Sequence, residues 1–231
     1  MTVTSRWIDI PTNDGPFQGY LALPKSGKGP GVVIIQEIFG VNSHIRAVAD
    51  QYAADGYVAI APDIFWRVQP RVELTYAGAD YQKALELHGK LDVGLAASDV
   101  KAAAAALRAL PEVSGKVAGI GYCLGGRLTY LAAAQGAVDL GVAYYGGGIQ
   151  NQLDVADNIN VPMLFHYGEL DAHIPASAVA DVKQKFAGKD AEVFVYPNAD
   201  HGFNCTDRAS YNQPASALAH GRTLTFLGER A

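Results

Sequence analysis

Cysteine is nearly absent: the 231 residues contain two, Cys123 and Cys205. Two thiols cannot build a disulfide scaffold or a Cys-based zinc site, so each has to be explained singly. Charge is also sparse, at 18% of residues, and basic charge is in the minority, with 18 Lys and Arg against 23 Asp and Glu for a net charge of −5. Such a surface lacks the field that attracts phosphate backbones or anionic lipid, so neither nucleic acid nor a membrane is an expected partner. Long apolar runs are missing too. None approaches the roughly 18 residues needed to cross a bilayer. The opening MTVTSRWIDIPTNDGPFQGY has neither a basic stretch leading into an apolar one nor an Arg-rich amphipathic pattern. That combination gives the expectation of a cytoplasmic protein.

What is present is a core-forming composition, 49% hydrophobic with 25 glycines. No repeat, low-complexity tract or polar linker divides it, so residues 1–231 are read as one domain. Alternating patterns in Ser5–Ile10 and Phe17–Leu23, separated by Pro11–Gly15, predict an antiparallel hairpin. The period then changes. Gly31–Gln36, Tyr57–Ala61, Lys116–Ile120, Leu140–Tyr144, Val161–His166 and Glu192–Tyr196 are short, continuous apolar runs, as expected of strands buried on both faces. Helical spacing marks Ile45–Asp55, Ala79–His88, Leu95–Leu110, Leu124–Gln135, Ala176–Phe186 and Pro214–Gly228. The predicted class is therefore α/β: a mostly parallel sheet covered by helices on both faces, opening with a hairpin. Ligands of such sheets sit at the C-terminal strand ends.

The strongest chemical signal lies at one of those ends. Gly121-Tyr-Cys123-Leu-Gly125 is a G-x-C-x-G elbow between a predicted strand and a predicted helix. Its glycines permit a tight turn that presents Cys123 above the sheet and at a helix N-terminus, where a thiolate is favoured. The dinucleotide-binding alternative fails, because position 124 is Leu where the third glycine is required. A cysteine nucleophile needs a base and a group to orient that base. Asp171 follows the Val161–His166 run and His201 follows the Glu192–Tyr196 run, in the order usual for an elbow enzyme. His173 is expected at the rim, Asp200 to turn away, Glu169 to be a weaker orienter than Asp171, and Cys205 to be a packed thiol. Glu37 directly follows the Gly31–Gln36 strand. The backbone N–H groups of Leu124 and Ile38 are the candidate oxyanion-hole donors.

Taken together, QEIFG at 36–40, APD at 61–63, GYCLGG at 121–126, AYYG at 143–146, GELD at 168–171 and HGF at 201–203 resemble the dienelactone hydrolase (carboxymethylenebutenolidase) family over nearly the whole chain. The resemblance implies an α/β-hydrolase fold and a monomeric cytosolic enzyme without cofactor or metal. It implies a Cys123, Asp171, His201 triad. For Glu37 it implies a partner that holds the thiol at rest and takes its proton when substrate enters. The expected reaction is hydrolysis of a small lactone or ester through a thioester acyl-enzyme. The alternative is a non-catalytic binding protein on the same fold.

The sequence departs from the family at the arginines expected to hold a substrate carboxylate. Residues 202–207 after the histidine read GFNCTD before Arg208, and Ala79–His88 contains no Arg. Tyr122, Tyr144, Phe203 and Trp66 are therefore expected to form an aromatic substrate pocket, with Arg208 as a possible cation, and neutral substrates to be hydrolysed at least as well as anionic ones.

Overall fold

In the computed structural model, which describes residues 3–230, eight strands form one sheet. These are β1 (Thr4–Ile10), β2 (Phe17–Leu23), β3 (Gly29–Ile35), β4 (Val58–Pro62), β5 (Val113–Tyr122), β6 (Leu140–Tyr144), β7 (Met163–Gly168) and β8 (Ala191–Tyr196). Their spatial order is β1-β2-β4-β3-β5-β6-β7-β8. The predicted hairpin is present, running from Thr4 opposite Leu23 to Ile10 opposite Phe17. It joins the sheet antiparallel to β4, and every later pairing is parallel. All residues of β4, β6 and β7 are buried, which accounts for their unbroken apolar runs.

Among the described residues six α-helices cover the sheet: α1 (Ser43–Ala54), α2 (Gly78–Gly89), α3 (Val93–Arg108), α4 (Leu124–Ala134), α5 (Ala176–Lys185) and α6 (Gln213–Arg230). Asn42 and Asp92 cap α1 and α3 by accepting from the N–H groups of Ile45 and Leu95. Both faces are covered. On β6 a Cβ on Gly141 would run into Met163 of β7 and come up against Thr129 of α4, while Tyr144, of opposite parity, bonds Thr223 of α6 at 2.7 Å. One element was not predicted, a 3-10 segment at Ile149–Asn158. Its polar sequence, IQNQLDVADN, lacks a sustained apolar period.

A buried polar network ties α6 to the ends of β6, β7 and β8. The Thr223 hydroxyl donates to Ala219 O at 3.0 Å, so it accepts from both Tyr144 and His166. His166 then carries its proton on Nε2, and its Nδ1 accepts from the Tyr196 hydroxyl at 2.8 Å. Burial holds the His166 pKa down at about 3. The backbones of the same residues support the candidate site: Tyr144 O accepts from Cys123 N at 3.0 Å, and His166 O accepts from Tyr145 N at 2.7 Å.

Candidate active site

Cys123 stands between the last residue of β5 and the first of α4, with φ 55° and ψ −114°. A non-glycine residue in this region is strained. The glycines around it are steric requirements. A Cβ on Gly121 would run into the backbone of Gly125, and one on Gly125 into the carbonyl of Ile35 in β3. The turn can close only because neither side chain exists. It leaves the Leu124 N–H as one of the orphan donors of the α4 N-terminus. Ile38 likewise has no acceptor for its backbone N–H among the described residues.

Asp171 lies in the loop beyond β7 and His201 in the loop beyond β8, so the sheet brings both to the edge that carries Cys123. Asp171 Oδ2 accepts from His201 Nδ1 at 2.7 Å, and Oδ1 accepts from the backbone N–H of His173 at 2.9 Å. Burial alone would lower the His201 pKa, but Cys123 and Asp171, by charge and by hydrogen bonding, raise it to about 10. The competing carboxylates are engaged elsewhere. Asp200 accepts from the His201 backbone N–H, and Glu169 from that of Asn198.

Glu37 is 1% exposed and neither carboxylate oxygen has a hydrogen-bond partner among the described residues. The hydrogen bond to the thiol that the family resemblance implies is therefore not formed in this arrangement. Arg208 is the nearest opposite charge, with Nη1 3.8 Å from Glu37 Oε1. The Arg208 guanidinium is held over Phe39 and Tyr76, 5.2 Å from each ring centroid. Cys205 is fully buried, and burial, helped by the Glu37 charge, pushes its pKa up to about 12. It is the packed thiol expected from the sequence.

These groups open onto a cavity of about 920 Å³ whose wall includes Ile38, Cys123, Leu124, His173, His201 and Arg208. The predicted aromatic pocket is not there. Tyr122, Tyr144 and Phe203 are fully buried in the core under the site, and Trp66 is drawn away by its hydrogen bond to Asp99 at 2.8 Å. Tyr76 and Tyr81 supply the aromatic wall instead, and Arg127 adds a second cation that sequence reading missed. Its position four residues after Cys123, one turn along the following helix, was the available signal. Arg67 and Arg71 are held outside, on Asp99 and Asp14 and on Gln18.

Fold and site together define a hydrolase on the α/β-hydrolase architecture. Residues 17–231 match the dienelactone hydrolase family. The chain is 33% identical to carboxymethylenebutenolidase 1 of Cupriavidus pinatubonensis, with 92% of each chain covered. It is 36% identical to the carboxymethylenebutenolidase of Pseudomonas putida, covering 95% of this chain and 94% of the other. A crystal structure from Klebsiella pneumoniae, provisionally named a dienelactone hydrolase, superposes with TM-score 0.84 at 30% identity, covering 97% of this chain and 98% of that one. The protein belongs to the dienelactone hydrolase family. No described helix is long and apolar enough to cross a membrane.

Proposed function

We propose that the protein hydrolyses small lactones or esters, as the names of its carboxymethylenebutenolidase relatives suggest, with Cys123 as the nucleophile and a thioester acyl-enzyme as the intermediate. The observation that carries this reading is the strained elbow that places Cys123 beside a His201 whose other nitrogen is fixed by Asp171. His201 takes the thiol proton and holds it as imidazolium beside the thiolate. The thiolate attacks the substrate carbonyl carbon, and the negative charge moves to the carbonyl oxygen, where the N–H groups of Leu124 and Ile38 stabilise it. Collapse of this adduct breaks the C–O bond, and His201 gives its proton to the departing alkoxide. In a lactone the alkoxide remains tethered as the hydroxyl end of the same chain. His201, now neutral, takes a proton from water as its oxygen attacks the thioester. The carboxylic acid leaves and the thiol is restored.

The protein acts as a monomer on a small-molecule substrate, without nucleic acid, membrane or cofactor. Steady-state hydrolysis of aryl acetates and unsaturated lactones tests the reading, with Cys123→Ala beside the parent. The expected result is a loss of several orders of magnitude in kcat with unchanged circular dichroism. Hydrolysis that survives the substitution undiminished would remove Cys123 from the mechanism, whereas a parent that hydrolyses none of these substrates would leave a binding function on the same fold.

A further inference from the structure

Arg127 lies on α4 one turn beyond Cys123. Side chains on a helix lean toward its N-terminus, which returns the guanidinium to the level of the elbow and into the cavity wall. Its Nε donates to Gln152 Oε1 at 2.7 Å, which fixes the plane of the fork. The four Nη protons have no protein acceptor among the described residues, and burial lowers the Arg127 pKa with no carboxylate near enough to oppose it. Arg208, by contrast, already has Glu37 at 3.8 Å.

The surroundings leave space for a partner. Gly148, at φ 90°, lies flat against the Arg127 side chain, and a Cβ there would come within 3.4 Å of Nη1. The position that a Gly147 side chain would occupy has no atom within 4 Å, and the same wall carries Gln150 and Asn151. Tyr81 and Leu85 of α2 give the cavity an apolar wall, with Leu85 exposed. Among the described residues neither wall acid, Asp200 nor Asp207, forms an ion pair with Arg127, whose only pKa shift comes from burial. At about 920 Å³ the cavity is in the upper part of the range that holds drug-sized ligands, well beyond the needs of a bare lactone ring.

We propose that Arg127 is a second anchoring point of the cleft, one that grips a terminal carboxylate through its free Nη edge, so that, contrary to the preference for neutral substrates expected from the missing family arginines, the preferred substrates are elongated esters whose apolar stem lies on Tyr81 and Leu85. A planar fork with four free donors suits bidentate carboxylate recognition. This inference rests on the hydrolase reading above for its kinetic test, but not for its binding test.

The kinetic test uses mono-p-nitrophenyl esters of glutaric, adipic and suberic acids, each beside its methyl-capped neutral twin. At one or more chain lengths the free acid should have the higher kcat/KM, and Arg127→Met should lower the acid-to-twin ratio at least tenfold. Arg127→Lys, which keeps the charge but loses the fork, should lower it less. An acid-to-twin ratio equal in parent and Arg127→Met at every length overturns the proposal. Independently, calorimetric titration of free suberate into the Cys123→Ala protein requires no turnover. Binding weakened tenfold or more by Arg127→Met supports the anchor even if no ester is cleaved. Absence of binding, or equal binding with and without Arg127, overturns it.

Discussion

Asp171 holds His201 at 2.7 Å while its second oxygen is fixed by the His173 backbone N–H at 2.9 Å, so the carboxylate is locked at both ends before any substrate arrives. The consequence for His201 is electrostatic. It is raised to about 10 by Cys123 and Asp171 against the opposing effect of burial. Activity that depends on the imidazolium should therefore persist well above neutrality and fall as pH rises through about 10. Asp171→Asn removes one of the two supports and should shift that basic limb toward lower pH, with kcat lowered by orders of magnitude. In the proposed mechanism the base and its orienter act as one unit, so Asp171→Asn combined with His201→Ala should lose little more than the worse single variant. A pH–rate profile with an unmoved basic limb, or strictly additive losses, would count against the pair.

The elbow makes a prediction of opposite sign for stability and activity. Cys123 holds a positive φ that costs on the order of 1–3 kcal/mol, and this strain serves presentation of the thiol. Cys123→Gly removes the strain and adds a smaller backbone-entropy cost of roughly 0.5–1 kcal/mol. The variant should be inactive in ester hydrolysis and yet as stable as the parent or up to about 2 kcal/mol more stable in urea unfolding. Clear destabilisation would mean that thiol contacts outweigh the strain.

The sheet and the meeting of Cys123, Asp171 and His201 at one edge were legible because each rests on a local rule. Continuous apolar runs announced β3 to β7, and G-x-C-x-G announced a turn that is sterically possible only with Gly121 and Gly125. Asp171 and His201 could be placed because a parallel sheet delivers successive strand ends to one edge. The cavity wall was not legible. Whether Tyr144 faces the cavity or Thr223 depends on strand parity and on the course of α6, and whether Trp66 lines a pocket depends on Asp99, 33 residues away. Both are long-range facts. The same holds for Glu37, whose pairing with Arg208 joins residues from opposite ends of the chain.

That pair can be tested by a double-mutant cycle. The Glu37 side chain is 1% exposed and the Arg208 side chain 15%, so solvent screens their attraction weakly. Glu37→Gln leaves the guanidinium without its nearest counter-charge, and Arg208→Met leaves a buried carboxylate with no hydrogen bond at all. Each single variant should lose about 3 kcal/mol of stability, and the double variant should regain a large part of that, since neither charge is then stranded. Urea unfolding of the four proteins reads the coupling. Additive losses would show that the 3.8 Å approach carries no interaction.

His166 makes the stability of the fold itself dependent on pH. Its imidazole is enclosed by the Tyr196 and Thr223 hydroxyls, and Arg222 lies close enough to add to the effect of burial, so the folded protein protonates it only near pH 3. In the unfolded chain the same group titrates near 6.5. Between these values the unfolded state binds the extra proton, so stability rises with pH across the window and is lost on acidification below about 6.5. One such group contributes a slope of about 1.4 kcal/mol per pH unit, hence roughly 2 kcal/mol between pH 6.5 and pH 5. Other titrating groups add their own slopes, so the readout is a difference between proteins. His166→Gln, which keeps a donor and an acceptor but cannot ionise in this range, should be less stable than the parent at pH 7 from imperfect packing, and should lose less stability than the parent between pH 6.5 and pH 5. Parallel stability–pH curves for the two proteins would show that His166 is not the acid-sensitive element.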